Sequence, residues 1–181
     1  MQIRGLKLTH KGGEGSGWFA PPEGTHGKEL KISSYTDHIV FHGTSSSEAV
    51  ERIRKEGLKP GASIGMSGQA PKDLPFVYVS PSERVAKWYA ENNIRGQGKV
   101  VKGKFTGRVA DETYNPMSEF GAMVSLAEKL GQDTGPDKIV DMKDLAIRMR
   151  SNSISAIAFR DIYAKNRLSW IVLPEATNFK K

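Results

Sequence analysis

The run His38-Ile39-Val40-Phe41-His42, broken by Gly43-Thr44 and followed by Ser45-Ser46-Ser47, constrains this chain more than any other stretch. Short, apolar and β-branched, it reads as a buried strand. The serines then offer N-cap oxygens, and Ala49, Val50 and Ile53 recur at helical spacing between Glu48 and Glu56. Gly57 closes that helix as a C-cap. A strand that ends on histidine and glycine and passes at once into a helix places an imidazole and an open backbone at one sheet edge. Ligands are commonly met at such edges.

Leu58 to Leu74, rich in Gly, Pro and Ser, reads as a long loop, and Phe76 to Ser80 as a second strand. Pro81-Ser82-Glu83-Arg84 opens a helix reaching about Asn92, with Val85, Trp88 and Tyr89 on adjacent turns. Lys99 to Ala110 alternates as a strand. Residues 111–135 hold an acidic turn, a helix from Ser118 to Leu130 and a Gly-rich loop. Asp141 to Arg150 is a second amphipathic helix, and Ile154–Phe159 and Ser169–Leu173 are apolar strands. Strands and helices that do not strictly alternate predict an α+β fold rather than a doubly wound sheet.

Residues 1–35 differ. They mix Gly, Pro, Ser and Lys around an isolated Trp18-Phe19 pair, too little apolar surface to offset backbone entropy. They read as an N-terminal tail or linker, with 36–181 as the domain. A hydrophobic content of 38% in 181 residues supports one core-bearing domain. With no cysteine, disulfides, thiolate metal sites and a cysteine nucleophile are excluded. No apolar run approaches the roughly 20 residues needed to cross a bilayer. The first residues lack the apolar stretch of a secretory signal. The expectation is a cytoplasmic protein of its host cell with no membrane partner. A net charge of +7 favours anionic partners, although the basic residues are scattered.

No GxxxxGK[ST] loop is present, and Gly12 to Gly17 has neither a strand before it nor a helix after it. The histidines at 10, 26, 38 and 42 lack metal-ligand spacing, so no metal is expected. What remains is the strand ending His42-Gly43-Thr44, the strand Val77-Tyr78-Val79-Ser80 and the helix bearing Trp88-Tyr89. Tyr78 and Tyr89, on a strand and the next helix, are placed to clamp a flat ring. Gly43 would leave the main chain open to a planar amide.

Those residues resemble the NAD-binding core of the poly(ADP-ribose) polymerase-like ADP-ribosyltransferases, whose signature is His, Tyr and Glu on three strands. Phe41-His42-Gly43-Thr44 is similar to the family's HGT strand, Val77-Tyr78-Val79-Ser80 to its tyrosine strand, and SWIVLPEA to its closing strand. The match covers roughly residues 37–110 and 154–176. It implies a split pair of small sheets around an NAD cleft with peripheral helices. His42, Gly43, Thr44, Tyr78, Ser80 and Tyr89 would bind NAD, with Pro60 to Pro75 as its covering loop. The reaction implied is transfer of ADP-ribose from NAD to a protein or nucleic-acid acceptor, a mono-ADP-ribosyltransferase activity.

One position departs from the family. Where its catalytic glutamate would stand, the chain has Ser169, which carries no charge to oppose a developing ribosyl cation. Three readings stay open. Another acid, Glu175 or Asp161, replaces it; the enzyme is weak or specialised; or the domain binds NAD or ADP-ribose without turnover. NAD hydrolysis and RNA 2′-phosphotransfer are further reactions that such a scaffold would accommodate. The Gly-rich tail is also similar to segments of tailed-bacteriophage head or portal-associated proteins, which implies a phage or phage-derived toxin, virion-associated in that case. Arg148 and Arg150 read as solvated helix charges, and Trp88 and Trp170 as core anchors.

Overall fold

The computed structural model describes residues 30–60, 74–92, 98–117, 119–137, 139–161, 165 and 167–180. The Trp18-Phe19 pair, the Gly-rich run at 12–17, His10, His26 and loop positions 61–73 lie outside them. The elements in chain order are β1 (Ile32–Thr44), α1 (Ser47–Glu56), β2 (Val77–Val79), α2 (Glu83–Glu91) and β3 (Lys99–Met117). They continue with α3 (Glu119–Lys129), α4 (Met142–Ser151), β4 (Ala156–Asp161), β5 (Arg167–Val172), a 3-10 turn (Pro174–Ala176) and β6 (Thr177–Asn178). The fold is α+β, a six-stranded, mostly antiparallel sheet with four helices.

Local signals set most boundaries. The Ser46 hydroxyl accepts from the Ala49 amide at 3.2 Å, and Gly57 ends α1 at a φ of 85°. Asp141 caps α4 by accepting from the amides of Lys143 and Asp144. Two strands run further than their composition indicates. β1 takes in Ile32–Tyr35, residues assigned by composition to the tail, because they pair with Gly107–Ala110 of β3 beyond a bulge between Tyr35 and His38. β3 continues to Met117, through what reads as an acidic turn, because a register shift after Asp111 lets Pro116 and Met117 pair with Arg160 and Asp161.

The strand order is β1-β3-β4-β5-β2, with β6 pairing β3. The length of β3 joins what the resemblance implies to be two small sheets: its first half pairs antiparallel with β1, and its second half parallel with β4. The order begins and ends on β1 and β2, and these meet. Phe41 and Ser80 exchange two backbone hydrogen bonds, at 2.8 and 2.9 Å. The sheet therefore curls on itself.

Alternation along the strands divides the core in two. Val40, Val77, Val79, Val101, Phe105, Trp170 and Val172 point to one side, where Ile53 of α1 also packs. Ile157, Phe159, Ile171 and Leu173 point to the other, covered by Leu126 of α3 and by Leu145 and Met149 of α4. With both faces buried, β4 and β5 are continuous apolar runs rather than polar–apolar alternations.

A fully buried ion pair fixes α3. The Lys129 ammonium donates to both oxygens of Glu112 on β3, at 2.8 and 2.9 Å, and the Ser125 hydroxyl donates to the same carboxylate at 2.7 Å. Glu112 and Lys129 side chains are 0% and 7% exposed, so each charge depends on the other for solvation. The C-terminal half of α3 is thereby held against Glu112 of β3.

Candidate functional site

His42 and Tyr78 come together through the backbone. One step from the Phe41–Ser80 bridge the two strands no longer form a regular ladder, and the His42 Nδ1 lies 2.8 Å from the Tyr78 carbonyl oxygen. A carbonyl only accepts, so Nδ1 carries the proton. Burial lowers the His42 pKa, outweighing the opposing effect of that hydrogen bond, so the ring is neutral at pH 7. Neutral imidazole with a proton on Nδ1 leaves Nε2 as a bare acceptor. The strand thus presents a fixed hydrogen-bond acceptor suited to a hydroxyl.

Tyr78 stands on the α3 side of the sheet, packed against the first core cluster. Burial raises its phenol well above the usual range, and the charges of Glu119 and Asp161 raise it further. The hydroxyl is therefore a donor at any physiological pH. Tyr78 pairs with Ile171, Phe159 with Ser169, and Asp161 with both Arg167 and Met117, so Tyr78, Ser169, Phe159 and Asp161 share one face.

Ser169 is 4% exposed, and its hydroxyl has no hydrogen-bond partner among the described residues. A buried hydroxyl left unpaired costs about 1–3 kcal/mol, a sign of a group kept for another purpose. Ser80, buried, is engaged locally: its hydroxyl donates to the Leu168 carbonyl at 2.8 Å and accepts from the Ser82 amide at 3.1 Å. Thr44 is buried at the end of β1, opposite Lys99.

Gly43 is also required by packing. A Cβ there would collide with the Ala86 carbonyl oxygen and lie 3.0 Å from the Ala90 nitrogen, so the α2 backbone covers that side of the glycine. Tyr89, on α2, packs edge-on against its neighbour Trp88 with ring centroids 5.0 Å apart. Glu175 is placed elsewhere. It lies on the 3-10 turn beyond β5, where Arg150 of α4 donates to it at 2.6 Å and, as the main cause, lowers its pKa.

Sequence reasoning missed Glu119. It is the first residue of α3, two positions after Met117, which pairs with Asp161. Glu119 is open to solvent at its edge, yet enough protein surrounds it to raise its carboxyl above the usual range. Nothing in its spacing from Tyr78 marks it, although its charge acts on the Tyr78 phenol. Asp161, weighed as a substitute acid, is on the Tyr78 face and 1% exposed.

Among the described residues, no group of three or more His, Asp or Glu side chains is arranged to hold a metal ion. No described helix is long and apolar enough to cross a membrane. No family model matches the chain, and no curated protein matches it significantly.

Proposed function

We propose that this chain binds NAD at the edge formed by His42 and Tyr78 and transfers its ADP-ribose to a macromolecular acceptor, as a mono-ADP-ribosyltransferase. The observation that carries this reading is the His42 Nδ1 contact with the Tyr78 carbonyl, which leaves Nε2 as a neutral acceptor. An acceptor held in that state matches a ribose hydroxyl, and the neutral Tyr78 phenol matches the edge or face of nicotinamide. The resemblance of the two strands to the ADP-ribosyltransferase core supplies the reaction class. Tyr89, one helix further on, would complete the ring contact when NAD is bound.

A second reading is favoured by one observation, the uncharged Ser169 at the position where that family carries glutamate. In that reading the domain binds NAD or ADP-ribose and turns it over weakly or not at all.

Incubation with NAD labelled on the adenylate, together with host lysate, separates the two. Label on protein or nucleic acid supports the transferase. Free ADP-ribose and nicotinamide alone identify a hydrolase, and NAD bound but intact identifies the binding module. If His42→Ala and Tyr78→Ala leave NAD affinity unchanged, the site lies elsewhere.

A further inference from the structure

We propose that the exposed section of the β1–β3 ribbon binds single-stranded nucleic acid, with Lys102, Lys104 and Arg108 on its phosphates and Phe41 beneath a base. The inference goes beyond the NAD reading and does not depend on it.

The basic residues are scattered along the sequence, yet β3 gathers three of them. Val101, Gly103 and Phe105 are buried, while the alternate residues Lys102, Lys104, Thr106 and Arg108 are exposed. Pairing with β1 sets Phe41 opposite Lys102, Ile39 opposite Lys104 and Ser34 opposite Arg108, so these residues share one face. Phe41 is half-buried there, and Ile39 is 37% exposed.

Helices flank this section of the sheet without covering it. At one end α2 lies on Gly43, the residue opposite Val100, where a Cβ would meet the Ala86 carbonyl oxygen. At the other end Ala110, opposite Ile32, belongs to the cluster that α3 and α4 cover. Between them, Lys102 to Arg108 spans about 20 Å of strand. A floor between helices does not enter a duplex groove as a protruding ribbon or helix does. A single strand is able to lie along it.

The cations are available to a ligand. Lys102 has no ion-pair partner among the described residues. Arg108 donates only to a neutral acceptor, the Asn152 carbonyl, at 3.4 Å. Lys104 lies 3.6 Å from Asp37, but the two are 54% and 67% exposed, and such pairs contribute little. Thr106 accepts from the Asp37 amide at 3.0 Å, which leaves its hydroxyl proton free to donate. Alternate residues of a strand stand about 6.6–6.8 Å apart, close to the separation of consecutive phosphates in an extended single strand. A cationic track on β3 beside an aromatic ring on β1 is the combination that single-strand binding uses, and the net charge of +7 favours a polyanion. An acidic peptide would engage the cations and leave the ring unused.

The test uses the full chain without NAD and follows the anisotropy of labelled oligo(dT) or oligo(U), about 12 nucleotides long, across a salt series. A duplex of the same length and poly-glutamate serve as comparison ligands. The single strand should bind, with log K falling by about 2 per decade of salt, about 0.7 for each of the phosphates held by the three cations. Lys102→Gln should weaken binding by about fivefold and lower that slope by about 0.7. Phe41→Leu, which keeps an apolar side chain on β1, should weaken binding by about tenfold at an unchanged slope. Lys55→Gln, on the helix that packs against the opposite face, should leave the slope as it is. Melting temperatures measured in parallel should show Lys102→Gln folded as the wild type is. A wild type that does not bind the single strand, or that binds the duplex or poly-glutamate as tightly, overturns the proposal. So does a folded Lys102→Gln/Lys104→Gln/Arg108→Gln variant that binds as the wild type does. Each of these results leaves the NAD reading standing, since no NAD is present.

Discussion

At the scale of single residues, His42 shows how one hydrogen bond fixes a chemical state. Its folded pKa lies below the 6.5 of free histidine because of burial, so below that pH the unfolded chain binds the extra proton first. The stability this residue contributes is full above pH 6.5 and declines as the pH falls from there toward the folded value. Urea midpoints measured at pH 7.5 and 5.5 should therefore drop in the wild type and drop less in His42→Ala; equal drops would remove His42 as a cause. Gly43 yields a second prediction. Because a methyl group there meets the α2 backbone, Gly43→Ala should cost about 1–3 kcal/mol, read as a lower urea midpoint with an unchanged slope. The sequence made His42 and Tyr78 legible, since a histidine at a strand end beside glycine is a local pattern. The packing of the glycine on α2 was not legible, because it depends on where a helix more than 40 positions later comes to lie.

At the scale of elements, two of the ion pairs that involve helices should behave differently. Glu112 and Lys129 are almost wholly removed from water, so Lys129→Met strands a buried carboxylate and should cost about 3–5 kcal/mol. Glu175 and Arg150 are both about half exposed, at 55% and 49%, and Glu175→Ala should cost less than about 1 kcal/mol and leave nicotinamide release unchanged. Loss of activity in Glu175→Ala with the fold intact would return that residue to the site. The helices were readable from caps and spacing: Ser46, Gly57 and Asp141 stand where those signals place them. The extended ends of β1 and β3 were not. Ile32–Tyr35 is polar in sequence and becomes strand because β3 offers it a partner, and residues after Asp111 do so because β4 lies parallel beside them.

At the scale of the whole molecule, the two clusters are not two independent cores. β5 supplies Trp170 and Val172 to one and Ile171 and Leu173 lies with the other, while β2 sends Val77 and Val79 one way and Tyr78 the other. Neither cluster can lose its packing without releasing strands that the other needs. The Phe41–Ser80 bridge reinforces this by tying the two ends of the strand order together at one point. Unfolding should then be a single cooperative step. Native-state hydrogen exchange checks it directly: amides in α4 around Leu145–Met149 and in β3 around Val101–Phe105 should open with the same free energy and the same denaturant dependence. A lower opening energy confined to α3 and α4 would show that the first cluster unfolds on its own. The same result bears on the site, because Tyr78 and Ser169 share the face that α3 covers. If that face opened below the global transition, the two polar groups would not be held in register for chemistry, and binding without turnover would become the better description of the molecule.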